Sequence, residues 1–337
     1  MRSRLEVFVR RGGAFESHHR LQAAVCDADG RLVECTEHPE LSTTWRSGAK
    51  PFQLLPLVER GHVDRWGFGA DELAVMAASH TGSAEHLTLV RRILERIGRD
   101  ERDLACGYHD PPDPESLAEL RAHPEKRSPL YNNCSGKHAG MVALALAEGW
   151  PVAGYHHPEH PLQQLVRRTV VEVTGVPDER IETGIDGCSV VAFGLPLTGM
   201  ATAYARLAAA SASGSARERA LARIREVMTG HPYVIGGHGR FSSEVMAAAH
   251  GRLLSKVGAE GLECVAWHER GLGIAVKCED GATRATEPAT LALLERLGAL
   301  GAAERGALES FRRPRIANAV GLDVGWIEAE IRPIPSA

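Results

Sequence analysis

The segment TTWRSGAKPFQ places Ser47 and Lys50 three residues apart. Residues at i and i+3 share a helix face. A helix starting near Gly48 puts the serine oxygen at the positive end of the helix dipole, with the amine beside it. Pro51 suits a first turn, whose amides have no helical partner to lose. A serine hydroxyl is a weak nucleophile until a base takes its proton. Neutral lysine can do so when burial or a nearby cation lowers its pKa, whereas arginine stays protonated. The choice of lysine is informative because only five occur, Lys50, Lys126, Lys137, Lys256 and Lys277, among 39 basic residues. S-x-x-K also arises by chance, so the spacing alone leaves a surface lysine as the other reading.

The remaining lysines add context. LLSKVGAEG puts Lys256 at the end of an expected strand, before Val-Gly. That arrangement echoes the K-[ST]-G strand that accompanies S-x-x-K in penicillin-recognising serine enzymes, although Val257 has no hydroxyl. In AVMAASHTG, Ser79 falls at the end of a helical pattern with Gly82 beyond it. It is either a second active hydroxyl or a helix-end serine. NNCSGKHAGM repeats the i, i+3 spacing with Cys134 and Lys137, and TGIDGCSVV puts Asp186 and Cys188 in a glycine-rich turn. Two thiolates and one further donor suffice for Zn²⁺. Buried, reduced cysteines beside a helix-start lysine are the alternative. IGGHGRFSSEVM lacks G-x-G-x-x-G and so does not suggest a dinucleotide site. The histidines of YHHPEHP read as loop residues.

These residues need elements to carry them. Apolar runs and alternation predict strands at 5–11, 21–28 and 31–37, the last two joined through Asp29-Gly30. Helical periodicity covers 50–60, 71–79, 84–97, 137–148, 161–174, 199–210 and 216–229. Strands return at 253–258, 262–268 and 272–278, and AAASASGSARER (208–219) reads as a flexible linker. Strands from both ends of the chain must meet to bury their apolar faces. The expected fold is therefore α/β of the α+β kind: a mainly antiparallel sheet flanked by helices, with a helical lobe. We expect one catalytic domain of two lobes across 1–337, the sheet from about 1–40 and 250–337 and a mostly helical middle at about 50–248. The cleft between lobes is the default location for a site.

The totals narrow the partners. A formal net charge of -4 argues against nucleic acid as the main partner, since phosphate binding usually needs a basic surface. No apolar run approaches the ~20 residues of a membrane span, and the amino terminus does not read as a signal peptide. Seven cysteines without paired spacing suggest reduced thiols in a cytoplasmic protein.

Taken together, RSGAKPFQ (46–53), ASHTG (78–82), NNCSGKHAGM (132–141), GIDGCSVV (184–191), GRFSSEVM (239–246) and SKVGAEG (255–261) resemble one family, in order and over nearly the whole chain. It is the class 3, rhizobial-type L-asparaginases, or asparaginase II family, with CSGKHAGM the most specific match. The resemblance implies a fold like the serine β-lactamases and glutaminases, and hydrolysis of L-asparagine to L-aspartate and ammonia. It also implies a homodimer and a zinc site beside the catalytic serines. It places the nucleophile at Ser47, its base at Lys50 and a second pair at Ser79 and Lys256. Zinc ligands fall at Cys134, Lys137 and Cys188, and substrate contacts at Arg46, Asn133 and Asp186. SHTG and RFSSEVM depart from the family forms SHSGE and RFDTDLM, which bears on substrate contacts more than on chemistry. Two rivals share the fold: a penicillin-interacting serine hydrolase, and a non-catalytic zinc- or amino-acid-binding protein.

Overall fold

A computed structural model describes residues 2–334. The chain divides into two compact units. The first comprises the residues up to Gly48, Leu195–Ala209 and those from Glu244 onward. Its centre is an eight-stranded sheet among the described residues. In order across the sheet the strands are Arg315–Ala317, Asp323–Pro333, Arg2–Arg11, Leu32–Thr36, Ala14–Cys26, Leu272–Cys278, Leu262–Trp267 and Leu253–Gly258. Neighbours are antiparallel except for a short parallel pairing of Arg2–Arg11 with Leu32–Thr36. Strands from the two ends of the chain thus meet in one sheet, as burial of their apolar faces requires. The fold class is the α/β, mainly antiparallel arrangement anticipated from the sequence.

The helices Leu197–Ala209 and Thr283–Arg296 pack on this sheet. A Cβ on Gly273 would stand 1.9 Å from the Ala201 carbonyl oxygen, so only glycine lets the first helix lie this close to the central strand. That helix comes from the expected helical middle, yet it belongs to the sheet-bearing unit.

The second unit, Ala49–Gly194 and Ala210–Ser243, is mostly helical. At its heart lies the helix Ser135–Ala147, buried at every position from Ser135 to Ala145. The helices Lys50–Glu59, Ala70–Met76 and Ala84–Arg96 surround it. A Cβ on Gly136 would lie 2.2 Å from the Val75 carbonyl oxygen, so glycine sets the distance between the helix carrying Lys137 and the helix that leads to Ser79.

Several boundaries differ from expectation. The second strand begins at Ala14 rather than 21, and the hairpin with Arg2–Arg11 turns at Gly12-Gly13. Its first half is mostly polar and solvated, so apolar alternation is weak there. The helix expected to reach Ser79 ends at Met76. The Ser79 amide instead donates to the Ile235 carbonyl at 2.9 Å. The expected flexible linker is a short turn, and Ser215 caps the following helix by accepting from the Glu218 amide. No helix among the described residues is long and apolar enough to cross a membrane.

Candidate active site

The segment holding Ser47 is pinned on both sides in the first unit. Trp45 is fully buried, edge-on to Tyr204 at 6.3 Å, and Tyr204 Oη donates to the Gly48 carbonyl at 2.8 Å. A Cβ on Gly48 would stand 2.8 Å from the Trp45 indole and 3.5 Å from Sγ of Cys264, the register partner of Lys256 on the neighbouring strand. A Cβ on Gly258 would stand 3.0 Å from the Trp45 carbonyl oxygen. The turn carrying Ser47 therefore packs against the hairpin carrying Lys256. Lys256 is completely buried and donates to the Val257 carbonyl at 3.2 Å. Arg46 has φ 50°, a left-handed conformation that costs energy in a residue with a Cβ. It immediately precedes Ser47 in the 3-10 turn Arg46–Ala49, which runs directly into Lys50–Glu59.

In the second unit, Lys50 begins its helix with Pro51 in the first turn. Its side chain is 1% exposed. Nζ donates to the Ala78 carbonyl at 2.5 Å, Ser79 Oγ at 2.9 Å and the Asn133 carbonyl at 3.3 Å. Burial lowers the Lys50 pKa, helped by the positive charge of Lys137, while Cys134 and Cys188 oppose the shift. Sequence spacing paired Lys50 with Ser47; the hydrogen bond that the fold adds is to Ser79.

The sulfur cluster lies close enough to Lys50 to act on its charge, Cys134 most strongly. Lys137 Nζ donates to Cys188 Sγ at 2.9 Å, and Cys188 hydrogen-bonds Cys134. All three side chains are buried. The Cys188 hydrogen bond and the cations Lys50 and Lys137 carry the Cys134 thiol well below its ordinary pKa, against burial. Burial opposes charge on Lys137, but Cys134 and Cys188 raise its pKa above the usual lysine value. Asp186 adds to that pull, and its Oδ1 accepts from the Gly187 amide at 2.7 Å. Ser189, next to Cys188, has φ 73°, so a second strained residue adjoins a candidate group. Asn133 Oδ1 lies 3.3 Å from Cys134 Sγ.

Two histidines that spacing did not single out hold this arrangement. The Gly82 amide donates to His80 Nδ1 at 3.1 Å, which leaves Nε2–H to donate to Ser135 Oγ at 2.9 Å. Ser135 in turn donates to the Leu130 carbonyl. Burial, with His86 and Lys50 nearby, keeps His80 well below its usual pKa and so neutral. His109 Nε2 accepts from the Asn133 amide at 2.9 Å, orienting the peptide whose carbonyl receives Lys50. His80 lies in the quoted ASHTG motif, but His109 has no spacing that marks it. The structure thus gathers Lys50, Ser79, Asn133, Cys134, Lys137 and Cys188 in one unit, with Asp186 nearby. Ser47, Arg46 and Lys256 lie in the other unit.

A family model described as L-asparaginase II matches residues 7–329. The chain belongs to the L-asparaginase II family. Membership makes it an amidohydrolase acting on a small molecule. No curated protein matches the chain. Among solved structures, "Crystal Structure Analysis of Mglu" aligns with 83% of this chain and 67% of that chain, at 18% identity and TM-score 0.37. Mglu in its glutamate form aligns with 83% and 61%, at 19% identity and TM-score 0.36; the chain thus spans about two thirds of Mglu or less. A β-lactamase from Mycobacterium bovis aligns with 82% of this chain and 94% of that chain, at 13% identity and TM-score 0.40.

Proposed function

We propose that the chain hydrolyses L-asparagine to L-aspartate and ammonia through a serine acyl-enzyme, with Lys50 as the base. The supporting observation is the set of partners around Lys50 Nζ. An uncharged amine has two N–H donors and one lone pair. The carbonyls of Ala78 and Asn133 can only accept. They hold the two N–H groups, and the lone pair faces Ser79 Oγ, whose proton can move along an existing hydrogen bond. Burial favours this uncharged form.

In the proposed reaction Ser47 is acylated; it directly follows the strained Arg46 and lies three residues before Lys50. Lys50 is proposed to take the Ser47 proton by way of Ser79, which gives its own proton to the Lys50 lone pair, as Ser47 Oγ bonds to the side-chain amide carbon. The oxyanion needs preorganised donors, each worth about 3–4 kcal/mol, for which first-turn amides of Lys50–Glu59 are proposed. The C–N bond breaks, and Ser79 passes the proton from Lys50 to the departing ammonia. Water then cleaves the aspartyl ester, with Ser79 and Lys256 proposed as the second proton-handling pair. Arg46, Asn133 and Asp186 are proposed to grip the substrate's α-carboxylate and α-ammonium.

Cys134, Lys137 and Cys188 are proposed zinc ligands. Their donor set fits: two buried sulfurs and one amine, with one thiol already favouring its thiolate. Zinc there would supply a fixed positive charge, and Lys137 would coordinate as the neutral amine after releasing its proton to solvent. A homodimer, testable by sedimentation equilibrium, follows from the family likeness. The reduced, buried cysteines support a cytoplasmic location.

The test is ammonia release from L-asparagine, run beside glutamine, β-aspartyl peptides and a fluorescent penicillin. Turnover of asparagine alone supports the reading. Turnover only of another amide, or stable labelling by the penicillin, overturns it. Intact-mass measurement during turnover of Ser47→Ala and Ser79→Ala identifies the acylated serine: an adduct that persists in Ser47→Ala refutes its role.

A further inference from the structure

A second trio of metal-type donors lies in the sheet-bearing unit, built from His19, Cys278 and Asp280. Leu21 is the register partner of Cys278, so His19 reaches the turn that follows the Leu272–Cys278 strand. Asp280 Oδ2 pairs with His19 Nδ1 at 2.6 Å, and Oδ1 accepts from Cys278 Sγ at 2.9 Å and the Ala282 amide at 3.0 Å. Arg284 Nε donates to His19 Nε2 at 3.1 Å, which assigns the ring proton to Nδ1. Two protons, Nδ1–H and Sγ–H, therefore converge on one carboxylate. All three ligand atoms lie within 4.8 Å of one another. His19 and Cys278 are buried, while Asp280 faces solvent.

We propose that His19 Nδ1, Cys278 Sγ and the Asp280 carboxylate form a binding site for a zinc-type divalent cation, separate from the cysteine–lysine cluster. Nitrogen, sulfur and oxygen donors of this kind suit Zn²⁺, with water from the open Asp280 side as fourth ligand. The binding step balances. Cys278 releases its proton to solvent and gives its lone pair to the metal. His19 moves its proton from Nδ1 to Nε2. Arg284, which is exposed and also holds Ser17 Oγ, leaves Nε2. One proton is released per cation bound.

The decisive experiment is titration of the full-length, chelator-stripped protein with Co²⁺, following thiolate-to-cobalt absorption and bound equivalents. A Cys134→Ser/Cys188→Ser variant is expected to bind one equivalent and show the band. Adding Cys278→Ser is expected to abolish the band and weaken binding by about tenfold or more. His19→Gln and Asp280→Asn in the otherwise native chain each lower the bound equivalents by one, whatever the native count. This readout does not depend on asparagine turnover. An absent band in the folded double variant overturns the site, as does unchanged stoichiometry in both His19→Gln and Asp280→Asn. Circular dichroism confirms folding, and a double variant that fails to fold leaves the His19→Gln and Asp280→Asn counts to decide.

Discussion

At the scale of residues, Lys50 occupies a place where carrying charge is costly, and that has two pH consequences. A lysine base works when neutral, so kcat/KM should rise with pH through the folded-state pKa of Lys50, which lies below 10.5. An optimum on the acid side of neutrality would sink the mechanism. For stability, the unfolded chain keeps this proton up to about 10.5 while the folded chain releases it earlier. The unfolded state then binds more protons in that window, so Lys50 makes unfolding free energy increase as pH rises through it. Lys50→Met should remove this contribution, measurable by urea titration at several pH values. Lys50→Arg should lose nearly all turnover, since arginine does not give up its proton. The lysines and cysteines were legible because their types are rare and their spacings recur. His80 and His109 were not, since each acts through a contact across the fold: with Ser135 Oγ and with the Asn133 amide.

Among elements, packing distances matter more than hydrophobic pattern. Gly136→Ala would press a methyl group into the Val75 carbonyl and separate Ser135–Ala147 from Ala70–Met76. Overpacking of this kind costs about 1–3 kcal/mol. Denaturant midpoints should fall accordingly, and activity should fall further, because Cys134 and Lys137 ride on the displaced helix. A variant with native stability and native activity would show that the interface is slack. The helix 161–174 and the strands 253–258 and 272–278 were readable from periodicity alone. The polar half of Ala14–Cys26 and the strand Asp323–Pro333 were not, because much of their side-chain surface is solvated. The end of Ala70–Met76 was also missed: the backbone at Ser79 turns to meet Ile235, a partner remote in sequence.

For the whole molecule, all seven cysteines are buried and none forms a disulfide. Native protein should react slowly with a thiol reagent and denatured protein should yield seven thiols; fast native labelling of several would contradict the packing. Strong chelator should weaken substrate binding more than it lowers kcat, because zinc at Cys134, Lys137 and Cys188 would supply positive charge beside the substrate-gripping residues rather than generate a nucleophile. Complete loss of kcat with unchanged KM would reverse that assignment. Composition and residue order by themselves determined the class of chemistry, the family likeness and the meeting of distant strands, since rare residue types and apolar faces are written locally. Only the tertiary structure decided that Lys50 bonds to Ser79, that Trp45 ties the Ser47 turn to the Lys256 hairpin, and that His19 meets Asp280. These pairings join segments far apart in the chain, where burial and close backbone approach set the partners and no local pattern records them.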